Sequence, residues 1–273
     1  SRMAAKEEAG LVGAGAGAPT KPASSFAAIR DQYETIEQVQ AALRAAGLES
    51  SQLIIGVDCT KSNTWTGAKS FGGRCLHEIS SARQNPYQEA ISIIGRTLSA
   101  FDDDGLIPVF GFGDARTTDR AVFKFTDAPC VGFEQVLDAY NRVIPSVTLA
   151  GPTSFAPMIR QAIDIVRKER QYTILVIIAD GQVNDLATTE AAIVEASNYP
   201  LSIVVVGVGD GPFDTMREWD DNLPARRFDN MQFVDAGSLS RVDARHRDAA
   251  FAVAALQEIP DQYKAVQRLR LLR

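Results

Sequence analysis

Short runs rich in Val and Ile recur along the chain and are separated by segments with helical spacing. The runs are QLIIGVD at 52–58, LIPVFGF at 106–112, YTILVIIAD at 172–180 and LSIVVVGVG at 201–209, followed by a weaker run, MQFVD, at 231–235. Several of them lack alternating polar residues, which is typical of strands buried on both faces of a parallel sheet. The pattern therefore predicts a sheet of at least five strands.

The segments between these runs carry apolar residues three and four positions apart, which predicts amphipathic helices. We expect helices at 25–47, 85–100, 133–144, 155–168, 189–197 and 214–222, and further helical structure from residue 242 onward. Asn85-Pro86 marks a helix start, because proline is tolerated in a first turn. The alternation of strands and helices predicts an α/β fold, with a doubly wound, Rossmann-like, mostly parallel sheet flanked by helices.

The same pattern divides the chain into two regions. Residues 1–23 are rich in Ala, Gly and Pro and have no apolar period, so we expect a flexible leader, in which Ser1-Arg2 is typical of a cloning remnant. We predict that residues 24–273 form one domain that includes the C-terminal helices. No apolar run approaches the roughly 18–20 residues that a membrane-spanning helix needs.

Charge and cysteine content exclude several classes of protein. The chain has 273 residues and a formal net charge of -6, which argues against a nucleic-acid binder and against direct docking to anionic lipid. Its 3 cysteines are scattered and its 2 histidines lie far apart, which excludes a disulfide framework, a sulfur-rich zinc site and a His-rich metal centre. We expect a cytoplasmic protein, with peripheral association at the plasma membrane as the alternative.

Candidate chemistry lies where two of the predicted strands end. Asp58 ends the first run and Asp180 the third, and ligands bind beyond the carboxyl ends of strands in open α/β sheets. In Asp58-Cys-Thr60-Lys-Ser62, residues two apart can turn the same way, and Thr153 stands in a later loop at the mouth of a helix. This oxygen-only set with two carboxylates predicts one divalent cation, with Mg²⁺ favoured and Ca²⁺ or Mn²⁺ able to replace it.

Other residues near these motifs have simpler interpretations. We expect the Cys59 side chain to point away from the cation into the core, and His77 to be a surface or loop residue rather than a ligand. The Gly-x-Gly patterns at 111–113 and 207–211 do not form a full dinucleotide-binding fingerprint.

The order of the motifs resembles the metal-ion-dependent adhesion site of von Willebrand factor A-type domains. That order is Asp-x-Thr-x-Ser after the first strand, Thr in a later loop, and Asp-Gly after the central strand. The resemblance implies that the cation binds oxygens of the five residues Asp58, Thr60, Ser62, Thr153 and Asp180, the last often through water. The family usually has Ser at the middle hydroxyl position, so Thr60 keeps the oxygen and adds a methyl group.

Longer segments narrow the resemblance to the copine type of this domain. They include NPYQEAISIIGRTLSAFD at 85–102, LIPVFGFGD at 106–114, LAGPTSFAP at 149–157 and LQEIPDQYKA at 256–265. Within that group the sequence resembles the domain of plant RING ubiquitin ligases of the RGLG family, over roughly residues 25–270. The cysteine and histidine ligands of a RING do not occur in this sequence, and neither do the paired calcium-dependent lipid modules of animal copines.

The resemblance implies a metal-dependent protein–protein interaction module. A protein partner would supply an acidic residue to the cation, and the domain would recognise substrates or regulators for a copine-like ubiquitin ligase. The ubiquitin-conjugation machinery would then be reached through a RING that is missing from this chain, and any membrane contact would be indirect. We see no catalytic site in this chain.

Two alternatives stay open. One is a stand-alone copine domain that binds calcium and phospholipid, which the acidic charge disfavours. The other is a Mg²⁺-dependent phosphotransferase that forms an aspartyl phosphate on Asp58. Against it, Thr60 stands where such enzymes usually have a second acid.

Overall fold

The computed structural model describes residues 35–48, 50–102, 104–181 and 183–272. The predicted leader at 1–23 and the first part of the predicted helix at 25–47 lie outside these ranges. The described strands are β1 (Gln52–Asp58), β2 (Leu106–Ile107), β3 (Val109–Phe112), β4 (Val122–Lys124), β5 (Cys130–Val131), β6 (Thr173–Ala179), β7 (Leu201–Gly207) and β8 (Met231–Asp235). The described α-helices are α1 (Ile36–Ala45), α2 (Pro86–Leu98), α3 (Gly132–Val143), α4 (Ala156–Glu169), α5 (Leu186–Ala196), α6 (Asp214–Asn222), α7 (Ala244–Leu256) and α8 (Ile259–Arg268).

Six of these strands form the main sheet in the order β4-β3-β1-β6-β7-β8. Neighbouring strands are parallel except at one edge, where β4 runs antiparallel to β3. Strand order reverses between β1 and β6, which is the topological switch point at which doubly wound sheets bind ligands. The predicted fold class is confirmed.

One predicted strand is wrong in its extent. The run at 106–112 is divided at Pro108 into β2, which pairs with β5, and β3, which joins the main sheet. Proline has no backbone N–H to donate to a ladder, so a break at this position is expected. The short strands β4 and β5 were not predicted.

The two faces of the sheet carry separate hydrophobic clusters. Leu53, Ile55 and Val57 of β1 pack with α2, α3, α7 and α8, whereas Ile54 belongs to the cluster that contains α4, α5 and α6. Gly56 faces α4, and a Cβ at this position would lie 2.7 Å from the Met158 Cγ. Glycine therefore allows α4 to pack closely on the central strand.

Helix α2 begins where the sequence predicts. The Asn85 side chain accepts a hydrogen bond from the Gln88 backbone N–H, the Gln88 side chain accepts one from the Asn85 N–H, and Pro86 occupies the first turn. This reciprocal capping satisfies two backbone donors that the helix itself leaves free. Within the described residues, none of the helices has the length and apolar character needed to cross a membrane.

Candidate metal site

Three loops meet at the carboxyl ends of β1 and β6. The Lys61 backbone N–H donates to the Ala150 carbonyl at 2.6 Å, which joins the loop after β1 to the loop before α4. The Asn184 N–H in turn donates to the Thr153 carbonyl at 2.9 Å, and the Asn184 Oδ1 accepts from the Thr153 N–H at 2.9 Å. The loop that carries Thr153 is therefore fixed to the segments after both central strands.

Asp58 is the centre of this arrangement. Its side chain is fully buried, its Oδ1 accepts a hydrogen bond from the Thr60 N–H at 2.8 Å, and its Oδ2 has no hydrogen-bond partner among the described residues. Burial, and then the nearby charge of Asp180, raise the pKa of Asp58 well above its ordinary value. A buried carboxylate oxygen without a donor is unfavourable unless a cation compensates it, so the site fits a bound metal.

The hydroxyl groups lie as the spacing predicts. The Thr60 Oγ1 and the Ser62 Oγ are 2.9 Å apart, and both residues are buried. On the other side, the Thr66 hydroxyl donates to the Asp180 Oδ2 at 3.0 Å. Among the described residues no three His, Cys, Asp or Glu side chains group to hold a metal, so a cation here would also depend on hydroxyl oxygens.

All five residues predicted as ligands lie at this edge of the sheet. Asp58 ends β1, Thr60 and Ser62 follow it, Asp180 follows β6, and Thr153 is buried in the loop before α4. Their role as metal ligands stays a prediction. Thr66 and Asn184, which orient Asp180 and the Thr153 loop, were not predicted, because side chains that reach across loops leave no local sequence signal.

The methyl group of Thr60 has a defined place. Gly113, at the end of β3, has φ +80°, and a Cβ on it would lie 2.3 Å from the Thr60 Cγ2. A side chain at position 113 would therefore occupy the space that the methyl group fills. Gly113 therefore leaves room for the methyl group that distinguishes Thr60 from serine.

The expectation that His77 is a surface or loop residue is confirmed in part, because it lies in a turn but is not at the surface. The residue is only 5% exposed, and its ring stacks on Tyr87 with 4.0 Å between ring centroids. Burial lowers the pKa of His77 to about 4, so the ring is neutral at pH 7. Its Nε2 lies 2.8 Å from the Asp58 carbonyl oxygen and its Nδ1 2.8 Å from the Tyr140 hydroxyl. His77 therefore lies beneath the candidate site, because the segment before α2 folds back against the loop after β1.

The expectation for Cys59 is confirmed. Its side chain is buried in the hydrophobic cluster on one face of the sheet, with the Sγ 3.6 Å from the Val57 carbonyl oxygen. Burial, together with the charges of Asp58 and Asp114, raises the pKa of the thiol well above its ordinary value. Cys59 is therefore a neutral core residue.

Comparison with known proteins places the sequence in a family. The family profile described as Copine matches residues 75–273, more than half of the chain. The E3 ubiquitin-protein ligase RGLG5 of Arabidopsis thaliana is 54% identical over 264 residues, which cover 90% of this chain and 61% of that protein. The E3 ubiquitin-protein ligase RGLG3 of the same plant is 54% identical over 258 residues, covering 88% of this chain and 70% of that protein. The chain thus spans 61% of the length of the first of these relatives.

A copine from an animal and several solved structures are also similar to this chain. Copine family protein 1 of Caenorhabditis elegans is 49% identical over 242 residues, which cover 87% of this chain and 22% of that protein. A von Willebrand factor type A structure from Catenulispora acidiphila aligns with a TM-score of 0.46 and 14% identity, over 76% of this chain and 43% of that one. The manganese-loaded Plasmodium vivax TRAP protein aligns with a TM-score of 0.44 and 12% identity, over 69% of each chain. The profile match and the identity to full-length relatives carry the assignment: the chain belongs to the copine family.

Proposed function

We propose that this chain is a metal-dependent protein-interaction module. One divalent cation, with Mg²⁺ favoured, would bind at the five predicted ligands, and a carboxylate from a partner protein would complete its coordination. The observation that carries the proposal is the buried Asp58 Oδ2, which has no hydrogen-bond partner among the described residues and has a second buried carboxyl group nearby.

The charge of the site favours an anionic partner group. Thr60, Ser62 and Thr153 offer neutral oxygens, so Asp58 and Asp180 supply all the negative charge of the predicted ligand set. A dication held by so few charges still attracts a further carboxylate, because the ion is the largest local charge in such a site. An acidic side chain of a partner protein is therefore the ligand that this site fits.

Exposed apolar side chains flank the loops that form the site. Trp65 is 51% exposed and precedes Thr66, which is bonded to Asp180. Leu186 is 41% exposed and lies two residues after Asn184, which is bonded to Thr153. Exposed tryptophan is enriched among the residues that dominate binding energy at protein interfaces. We therefore assign to the partner an acidic residue with a bulky apolar neighbour.

The names of the relatives suggest the setting in which this module works. RGLG5 and RGLG3 are named E3 ubiquitin-protein ligases. A RING needs about eight cysteine or histidine ligands for its two zinc ions, and this chain has 3 cysteines and 2 histidines. We propose that the domain recognises substrates or regulators in the cytoplasm and leaves ubiquitin transfer to a RING elsewhere.

Isothermal calorimetry with Mn²⁺ and with Mg²⁺ tests the metal site. We expect one site in the wild-type chain and binding at least about 10-fold weaker in Asp58→Asn, because a ligand charge is lost. The matched control is Asp220→Asn, which also neutralises a buried aspartate with a raised pKa but lies in α6. Equal Mn²⁺ affinity in all three proteins would refute the assignment.

Peptide selection tests the partner. Random nonapeptides with a fixed central Asp, and a matched library with central Asn, are selected on the chain with Mn²⁺ or with EDTA. We expect Mn²⁺-dependent enrichment from the Asp library alone, with apolar residues beside the acid. This apolar preference should disappear in Trp65→Ala and weaken in Leu186→Ala. The apolar preference should persist in Leu106→Ala. Leu106 is equally exposed at 41%, but it lies in β2, just before the start of β3 and therefore at the end of the sheet opposite the candidate site. Equal enrichment from both libraries would contradict a carboxylate ligand.

A further inference from the structure

The backbone of the metal loop, residues 58–62, is held from the side of the core. The His77 Nε2 lies 2.8 Å from the Asp58 carbonyl oxygen, and because a carbonyl only accepts, Nε2 carries the hydrogen. The Asn63 side-chain amide donates to the Thr60 carbonyl at 3.0 Å and to the Asp58 carbonyl at 3.4 Å. The carbonyls of two predicted ligand residues are thus both fixed by buried side chains.

A second set of contacts holds Asn63 and His77 in place. The Tyr87 hydroxyl donates to the Asn63 Oδ1 at 2.7 Å, and the Tyr87 ring stacks on His77. With its hydrogen on Nε2, His77 accepts at Nδ1 from the Tyr140 hydroxyl, 2.8 Å away. Tyr87 belongs to α2 and Tyr140 to α3, so two rigid helices anchor the network.

The network holds the loop through its backbone and makes no use of the side-chain oxygens of Asp58, Thr60 and Ser62. It takes up the carbonyls of residues 58 and 60, whereas the Asp58 Oδ2 has no partner in the described part of the chain and the Thr60 hydroxyl meets Ser62. A loop that is already ordered loses little conformational entropy when it binds a ligand. We propose that Asn63, His77 and Tyr87 are positioning residues that preorganise the metal loop, an inference that rests on the proposed metal site.

Packing alone does not explain these residue types. Phenylalanine in place of Tyr87 would fill nearly the same space and would remove a polar group from a fully buried position. A buried polar network rigidifies its surroundings only when its members are paired, and the Asn63 Oδ1 receives its partner from Tyr87. The hydroxyl group therefore has a role in holding Asn63 that a purely apolar ring would not perform.

Mn²⁺ calorimetry on Tyr87→Phe tests the proposal. The substitution keeps the ring and removes the hydrogen bond to Asn63, and we expect Mn²⁺ binding roughly 3- to 10-fold weaker, as for the loss of one buried hydrogen bond. The matched control is Tyr172→Phe, which removes a fully buried hydroxyl that lies 2.6 Å from the Ser202 Oγ. The control should lower the melting temperature to a similar degree and leave the Mn²⁺ affinity unchanged.

His77→Phe provides a second variant in case Tyr87→Phe does not fold. It keeps a ring against Tyr87 and frees the Asp58 carbonyl, so weaker Mn²⁺ binding is expected here too. Wild-type affinity in a folded Tyr87→Phe or His77→Phe protein, while Asp58→Asn binds weakly, overturns the positioning role and leaves the metal site standing. Equal weakening in Tyr172→Phe also overturns the positioning role. Absence of Mn²⁺ binding by the wild-type chain overturns both the site and the network assigned to it.

Discussion

Replacing Gly113 by alanine probes the contact that shapes the metal loop. The new Cβ would lie 2.3 Å from the Thr60 Cγ2, while its distances to the Thr60 Cβ and N would be an ordinary 3.5 Å. The clash is therefore confined to one methyl group. Threonine is stiff about χ1, so this methyl group cannot rotate away without moving the hydroxyl that faces Ser62.

Two separate effects set the size of the destabilisation. Alanine at φ +80° adopts a left-handed conformation that costs roughly 1–2 kcal/mol for a residue with a side chain. Overpacking against Thr60 adds about 1–3 kcal/mol. We expect the free energy of unfolding to fall by about 2–5 kcal/mol in Gly113→Ala.

A double-mutant cycle with Thr60→Ser separates the two effects. Thr60→Ser alone should lose about 1 kcal/mol, because one buried methyl group is removed. The double variant no longer has the clash, so it should be more stable than additivity predicts by about 1–3 kcal/mol. Urea unfolding followed by circular dichroism gives all four free energies. An additive double variant would refute the clash and would leave only the backbone conformation as the cause.

Three further predictions concern pH, metal removal and ubiquitin transfer. Burial and the charge of Glu258 raise the pKa of Asp220 well above its ordinary value of 3.8, so the native state binds this proton more tightly than the unfolded state. Stability from this group is therefore present below pH 3.8 and is lost as pH rises through the folded pKa. Asp220→Asn should flatten this part of the pH profile in urea titrations and raise stability at pH 7, and an unchanged profile would contradict the argument. Chelation by EDTA should leave the chain folded. Relative to a sample whose free Mg²⁺ concentration is 100 times the Kd, we expect the melting temperature to fall by about 5–10 °C. Global unfolding on chelation would show instead that the ion holds the core together. With activating enzyme, conjugating enzyme and ATP, this chain alone should form no ubiquitin chains on an immunoblot, and chains that depend on it would refute a recognition-only role.

The buried strands are the part of the fold that the sequence predicts best. β1, β6 and β7 are buried along their whole length, so most of their residues are apolar or small on both faces and stand out as nearly continuous runs. β4 has only three residues, all partly or fully exposed at the sheet edge, so it forms no continuous apolar run that the sequence could show. The break at Pro108 has a local signal, the missing N–H, but which partner each half joins depends on the tertiary structure.

In the candidate site, too, residues that depend on tertiary contacts could not be predicted from the sequence. Asp58, Thr60 and Ser62 are found from their spacing, because alternate residues at a strand end turn the same way and the strand itself is predictable. His77 is not found in this way, because its neighbours Tyr87 and Tyr140 come from two helices and only the folded chain brings them together. A lone histidine in a loop looks like a surface residue until that packing is known.

A metal site of this kind cannot by itself select a partner. A dication attracts any accessible carboxylate, and acidic side chains are common on protein surfaces, so the cation supplies attraction without discrimination. The loop at 58–62 cannot readily adapt to different partners, since its backbone is held by Asn63 and His77. If the domain recognises a partner in this way, discrimination would come from residues around the site, where Trp65 and Leu186 are exposed. A partner that presents only an acidic residue would gain the coordination bond and leave the indole of Trp65 in water, whereas one with a neighbouring apolar side chain would bury both. Under the proposed function, the rigid loop and the exposed tryptophan would thus be complementary parts of one recognition surface.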